Sequence, residues 1–459
     1  MNNTIPELIR QQRNFFLTQR TKEIAYRKKV LKRLRQEIIA REDAICDAIY
    51  ADFKKPKFEC LGTETQLVLG ELNLALKKLE FWARPEKVAS PWLNFPSSDY
   101  IYKEPYGTVL IIAPWNYPFQ LAISPLIGAI AAGNTAVIKP SEITPNTSGI
   151  LSELITTVFE PEYVVVIEGG VAVSQKLLEE PWDYIFFTGS TRVGQIVYES
   201  AAKYLTPVTL ELGGKNPCIV DATASIALSA KRIVWGKFLN AGQTCIAPDY
   251  VLVEASVKDK LVHALKESIR KSYGEHMETS PDFARMVSTH HYNGLKAMLA
   301  GEEILYGGES NDADNYISPT LINEPGMDSK LMEGEIFGPL LPIISYETEE
   351  DIHSYIMNYG KPLSTYVFSN SRSFQKKILR TYSFGGGAIN DTVIQFANKN
   401  LPFGGVGHSG IGAYHGKGSF DVFTHLKPMV KRGNWMDAPL RYPPYKLPLA
   451  IAKRIKHLF

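Results

Sequence analysis

Thr108-Val109-Leu110-Ile111-Ile112-Ala113 is a short aliphatic, β-branched run that stops at Pro114, with a helical segment between it and the next such run at 136–139. The alternation continues through 164–167, 184–187 and 208–210. Five strands in βα order are the sequence form of an open parallel sheet. A second series begins at Pro217, with strands expected at 218–220, 250–253, 341–345, 365–368 and 388–390. The fold class is therefore α/β, with two open α/β domains. The most apolar stretch, 121–138, is broken by Pro125, Gly128, Gly133 and Asn134, and reads as a buried helix running into a strand rather than a membrane span. Upstream, 7–82 is helical in character. Val30, Leu31, Leu34, Ile38 and Ile39 share one apolar face, and the basic run Arg27-Lys28-Lys29, with Lys32, Arg33 and Arg35, reads as a solvated one. The Pro- and Ser-rich segment 84–98 ends this block, and an extended hairpin is expected after it.

Composition narrows the function. With 459 residues and 45% hydrophobic content the chain can bury more than one core, since single cores stop growing at roughly 250–300 residues. A formal net charge of +2 and 21% charged residues provide no concentrated basic field, so no nucleic-acid partner is expected. Four cysteines without CxxC spacing make neither a disulfide framework nor a zinc site, and the nine histidines show no metal-ligand pairing. No metal is expected. The first residues lack the basic and apolar regions of a signal peptide, and a reducing, cytoplasmic location is the expectation.

The chemistry centres on Gly242-Gln243-Thr244-Cys245-Ile246-Ala247-Pro248 and Leu210-Glu211-Leu212-Gly213-Gly214-Lys215. A thiolate adds readily to an aldehyde carbon and leaves readily from the thioester that follows, which suits Cys245 as nucleophile. Gly242 and the small neighbours let the backbone approach a substrate. The resulting oxyanion needs a neutral donor, and the Asn116 side-chain amide at the end of the 108–113 strand can supply one. Thioester hydrolysis needs a base. Glu211, set in an apolar strand where desolvation raises a carboxyl pKa, is the better candidate, and Glu335 is the rival. The first βα turn lacks a GxGxxG fingerprint. Cofactor phosphate is assigned instead to Thr188-Gly189-Ser190-Thr191, which opens a helix after the 184–187 strand, so Gly189 and Ser190 are candidate contacts. Lys139 and Glu142 stand at a spacing that reaches adenosine-ribose hydroxyls, and a fixed Glu142 repels a 2′-phosphate.

These motifs, together with Ala113-Pro114-Trp115-Asn116-Tyr117-Pro118-Phe119, Glu335-Ile336-Phe337-Gly338-Pro339 and Leu401-Pro402-Phe403-Gly404-Gly405-Val406-Gly407, occur in one order. The chain resembles the aldehyde dehydrogenase superfamily, most closely its class 3 branch, from about 106 to 425. The class 3 character lies in 242–250 and in Gly410-Ile411-Gly412-Ala413-Tyr414-His415-Gly416-Lys417. The resemblance implies a Rossmann-like cofactor domain (1–82 and 102–209), a catalytic domain (210–396), bridging oligomerisation segments (83–101 and 397–430), a C-terminal tail (431–459) and a homodimer. It also implies that Gly213 lets the nicotinamide approach the nucleophile, that Phe337 packs on that ring, that Glu335 meets its ribose and that the 404–412 glycines form a structural crossover without cofactor contact.

The expected reaction is oxidation of an aldehyde, medium- to long-chain aliphatic or aromatic, to a carboxylic acid through a thioester on Cys245. The expected cofactor is NAD, with NADP possible, and Tyr117 is a candidate wall of the substrate funnel. The alternatives are a coenzyme A-acylating aldehyde dehydrogenase and a non-catalytic protein reusing the fold. In the tail, Ile451, Ile455, Leu458 and Phe459 fall on one helical face beside Lys453, Arg454 and Lys456. This pattern suits a cap on the funnel, a weak contact with an anionic membrane surface, or packing on a partner subunit.

Overall fold

The computed structural model describes residues 4–437, 441–445 and 448–454. The sequence-read strands form two separate sheets. In the first, the strands Thr108–Ile112, Thr135–Lys139, Val164–Val166, Tyr184–Thr188 and Val208–Glu211 are all parallel. The chain lays down the first three strands in one direction, then returns to place Tyr184–Thr188 on the other side of Thr108–Ile112. That reversal makes a switch point, and in open α/β sheets ligands bind in the crevice beyond the carboxyl ends of the strands there. The two turns at this position are the Pro114–Asn116 and Gly189–Ser190 turns.

The second sheet has seven strands, with Pro217–Val220, Tyr250–Glu254, Leu340–Tyr346, Ser364–Phe368 and Gly386–Ile389 all near the positions read from sequence. Two more, Glu303–Tyr306 and Thr320–Asn323, extend one edge, the first of them antiparallel. Glu86–Val88, Ser97–Pro105 and Thr424–Arg432, from the segments expected to bridge subunits, form a separate three-stranded antiparallel sheet. The short strand Gly410–Ile411, from the glycine-rich segment, adds antiparallel to Val208–Glu211 and closes the edge of the first sheet.

The helical block is as read, with helices Ile5–Leu17, Ile24–Ala40, Glu42–Phe53 and Gln66–Ala83. Two details of its face differ. Ile39 is 46% exposed, one residue beyond the stripe of Val30, Leu31, Leu34 and Ile38. Arg27 is buried, and its guanidinium donates to the carbonyls of Thr21, Lys22 and Ala131. Ala131 lies in the last turn of helix Gln120–Ala132, where carbonyls have no intrahelical donor, so Arg27 caps that helix instead of meeting solvent. Burial lowers its pKa to about 10.

Helix Leu449–Arg454 contains Ile451, which is 48% exposed. Ile455, Leu458 and Phe459 of the expected tail face, and Lys456 beside it, lie outside the described residues. Among the described residues no helix is long and apolar enough to cross a membrane.

Candidate active site

A cavity of about 640 Å³ opens between the carboxyl ends of the first sheet and the amino ends of the second. Asn116, Tyr117, Gly189, Ser190, Glu211, Gly213, Cys245, Glu335 and Phe337 all line it. Nine of the sequence-read site residues thus converge on one space. Lys139 and Glu142 are not on its wall. Lys139 is buried at the end of its strand, and its Nζ lies 3.1 Å from Glu142 Oε2 and 2.6 Å from the carbonyl of Pro140.

Cys245 is delivered by a strained turn. Asn240, Ala241 and Gly242 all have positive φ, at 55°, 53° and 77°. Non-glycine residues in that region cost of order 1–3 kcal/mol each and persist only where the surroundings hold them. The surroundings do so here. Asn240 Nδ2 donates to the carbonyls of Asn116 (2.9 Å) and Gln243 (3.1 Å), and Gln243 Nε2 donates back to the Asn240 carbonyl (3.0 Å). A Cβ on Gly242 would stand 2.2 Å from the Gly338 carbonyl oxygen, so glycine is required both by the turn and by the passing Phe337-Gly338 loop. Beyond the nucleophile, Asn216 Nδ2 holds the carbonyls of Cys245 (2.7 Å) and Ala247 (3.0 Å).

The electrostatics around the sulfur favour the neutral thiol. Burial, then the Glu335 and Glu211 carboxylates, push the Cys245 thiol up, opposed by the amides of Cys245 and Ile246. A carboxylate able to take the thiol proton is therefore needed, and two are at hand. Glu211 is 3% exposed, neither carboxylate oxygen has a hydrogen-bond partner, and burial raises its pKa well above the usual range. Glu335 is raised to about 8 by burial and by Asp249, while the Gly214 amide, Lys215 and Lys237 pull it down. Its carboxylate lies against the Gly213-Gly214 turn so closely that a Cβ on Gly213 would come within 1.9 Å of Oε2. Lys215 fastens this arrangement, donating to Asp249 Oδ2 (2.7 Å) and to the carbonyls of Leu331 (3.0 Å) and Gly334 (2.7 Å).

Asn116 is buried and gives one Nδ2 hydrogen to the Gln243 carbonyl at 3.1 Å. A primary amide has two such hydrogens, so the other remains for a substrate oxygen. Tyr117 is a wall and also a strut, with its hydroxyl 2.7 Å from Thr244 Oγ1 beside the nucleophile. Phe337 packs edge-on against Trp115, with centroids 5.3 Å apart, and its carbonyl lies 2.8 Å from His291 Nε2.

The sequence reading missed a charged support beneath this site. Lys55 and Glu64, both fully buried, form an ion pair of 2.9 Å. Lys55 Nζ also lies 3.9 Å from the Tyr117 ring centroid, and Glu64 Oε2 accepts from the Gln120 amide at 2.8 Å. Glu59, held up at about 7 chiefly by burial, accepts from the Asn240 amide at 2.7 Å. The following π-turn Leu61–Thr65 places Gly62 and Thr63 on the cavity wall, a common use of such turns. The remaining wall is mainly apolar, with Leu67, Leu121, Trp235, Phe396, Phe403 and Tyr414 among its residues.

Comparison with known proteins matches the chain over residues 2–429 to the aldehyde dehydrogenase family model. It belongs to the aldehyde dehydrogenase family. The 4,4'-diaponeurosporen-aldehyde dehydrogenase of Staphylococcus aureus is 49% identical over 446 residues, 97% of each chain. Aldehyde dehydrogenase family 3 member A2 of Rattus norvegicus is 42% identical, covering 95% of this chain and 90% of that protein. A solved substrate-bound Staphylococcus aureus AldH superposes with a TM-score of 0.97 at 48% identity, covering 99% of both chains. This aldehyde dehydrogenase oxidises aldehydes to acids with NAD(P), and its relatives favour that reaction over the coenzyme A-acylating and non-catalytic alternatives.

Proposed function

We propose that this aldehyde dehydrogenase works through a thioester on Cys245, with Asn116 facing the oxyanion and Glu211 activating the hydrolytic water. The observation that carries this reading is the convergence of a thiol, an amide with an N–H to spare and an unpartnered buried carboxylate on one largely apolar cavity. Sulfur bonds to the aldehyde carbon as the thiol proton passes to the Glu335 carboxylate, which leaves Glu211 ionised for the later step, and the carbonyl π pair moves to oxygen, where the Asn116 amide meets it. When bound, NAD(P) would supply the hydride acceptor, and as hydride leaves that carbon the pair on oxygen re-forms the C=O bond of the thioester. Glu211 then takes a proton from water as the water oxygen attacks the thioester carbon. The C–S bond breaks with its electron pair returning to Cys245 sulfur, and the acid leaves.

The residues present fit the dinucleotide. Ser190 caps helix Thr191–Ala202, whose free amides suit a pyrophosphate. Thr188 Oγ1 is buried without a partner on the same wall. A Cβ on Gly189 would meet the Phe187 ring at 2.6 Å, so glycine keeps that turn close-packed. Lys139 holding Glu142 supports preference for NAD over NADP, because a fixed carboxylate there repels a 2′-phosphate.

Aromatic and aliphatic lining, and a volume within the 300–1,000 Å³ of small-molecule sites, support a medium- to long-chain aliphatic or aromatic aldehyde. The relative named for 4,4'-diaponeurosporen-aldehyde makes an aldehyde of that type worth testing. Exposed Tyr102, Leu426, Met429 and Val430 on the bridging sheet support a homodimer joined through it. Four free cysteines are in keeping with a reducing cytoplasm, and the apolar and cationic residues of the tail suit the funnel mouth, an anionic membrane surface or a partner subunit. An NADH-production screen over aldehydes of graded length tests the substrate class. Rising kcat/KM with chain length supports it, and a preference for short polar aldehydes overturns it.

A further inference from the structure

Glu59 is a mostly buried carboxylate that takes no part in the bond changes of the reaction. Among the described residues no cation stands within ion-pair reach of it, since Lys55 gives its ammonium to Glu64 at 2.9 Å. Taking a carboxylate out of water is unfavourable unless it is paired or hydrogen-bonded. Glu59 Oε1 meets one backbone donor, the amide of Asn240, at 2.7 Å. The element that carries Glu59 is itself fixed. Thr63 Oγ1 donates to the Glu59 carbonyl at 2.7 Å, the Cys60 amide donates to the Pro56 carbonyl at 2.8 Å, and the Cys60 side chain is fully buried.

Asn240 is the hub of the turn that delivers Cys245. It is fully buried and left-handed, at φ 55°, ahead of Ala241 at 53°. Its Nδ2 bridges the carbonyls of Asn116 and Gln243, and Asn116 Nδ2 donates to the same Gln243 carbonyl. A displacement of Asn240 therefore reaches both the nucleophile and the amide that faces the oxyanion. The Nδ2 bonds hold only its side chain. The Glu59 bond holds its backbone, where the strain lies, and left-handed non-glycine residues persist only where the surroundings over-determine them.

We propose that Glu59 is a positioning residue for the covalent step, its carboxylate holding the Asn240 backbone in the left-handed conformation that presents Cys245 and the Asn116 amide to one substrate carbonyl. The proposal rests on the assignment of Cys245 as nucleophile and Asn116 as oxyanion donor. Burial, with Glu64 and Asp282 adding to it and Lys55 and the Asn240 amide opposing it, raises the Glu59 carboxyl to about 7. Both its protonated and its ionised forms are thus populated at neutral pH, and either one offers an oxygen to the Asn240 amide. A glutamine at this position offers the same oxygen.

Stopped-flow mixing of the intact enzyme with NAD and an aldehyde substrate tests this through the first-turnover rate of NADH formation. Glu59→Leu removes the acceptor while Lys55 keeps Glu64, and should slow the first turnover by about tenfold or more, with the KM for NAD within about twofold of the parent. Glu59→Gln should stay within about threefold of the parent rate, because the Asn240 amide keeps its acceptor. Glu59→Asp keeps the charge but shortens the reach, and should be slowed like Glu59→Leu. If Glu59→Leu and Glu59→Asp form NADH at the parent rate, if Glu59→Gln is as slow as Glu59→Leu, or if the KM for NAD rises as much as the rate falls, while Cys245→Ala is inactive, the Glu59 proposal alone is overturned. Sustained aldehyde oxidation by Cys245→Ala removes the nucleophile assignment and the Glu59 proposal with it.

Discussion

Lys55→Met isolates what the buried charges under the active site contribute. Lys55 and Glu64 have fully buried side chains 2.9 Å apart, and burial holds the Glu64 carboxyl above its ordinary pKa even with the ammonium against it. Removing one partner of a buried pair leaves the other uncompensated, at a cost of about 3–5 kcal/mol. Melting entropy of about 2.1 cal/mol/K per residue gives roughly 1 kcal/mol/K for a chain of 459 residues. The thermal midpoint should therefore fall by about 3–5 °C. The variant also loses the cation over the Tyr117 ring, so the Asn116-Tyr117 turn loosens and turnover falls with it. Lys55→Met with Glu64→Gln should recover part of the lost stability, since no buried charge remains. Calorimetry of the parent, both single variants and the double variant measures this cycle. A midpoint for Lys55→Met within 1 °C of the parent, or a double variant less stable than the worse single one, refutes the reasoning.

Glu211→Gln should give a burst of about one NADH per site followed by slow turnover in stopped-flow traces, because oxidation precedes the step that needs the base. If Glu335→Gln shows that pattern and Glu211→Gln turns over normally, the base is Glu335. Gly213→Ala places a methyl 1.9 Å from Glu335 Oε2 and should raise the KM for NAD about tenfold or more with little change in thermal midpoint, as read by initial-rate kinetics. His415, 6% exposed, has its pKa lowered by burial to about 4 from 6.5. A lowered folded-state pKa gives stability that is fully present above pH 6.5 and is lost as pH falls toward 4, here about 3 kcal/mol. His415→Asn, which tolerates the positive φ of 82°, should flatten that part of the stability–pH curve measured by denaturant unfolding. An equal acid slope in both proteins would contradict it.

What the sequence made legible followed from local patterns. The parallel strands carry continuous aliphatic runs because both faces are buried, and the strand Thr108–Ile112 is read almost to the residue. The strand Thr424–Arg432 has no such signature. Its burial is that of an exposed edge, and its partner Ser97–Pro105 lies more than 300 residues earlier in the chain. The nucleophile, the amide and the two glutamates stand in motifs with local chemical logic. Lys55, Glu59 and Glu64 do not. They are charged residues in a helical block, where charge ordinarily marks solvent, and only the tertiary packing of Gln120 and Asn240 against them shows otherwise. Arg27, in a basic run on a helix, carries the same surface signature although it is buried.

Acid-quench mass spectrometry of Glu211→Gln, mixed with NAD and a medium-chain aldehyde, tests the covalent step itself. The account predicts that the peptide containing Cys245 carries the acyl group, at about one per site, and that Cys245→Ala binds NAD but forms neither adduct nor NADH. An acyl group on another residue, or sustained aldehyde oxidation by Cys245→Ala, would contradict it.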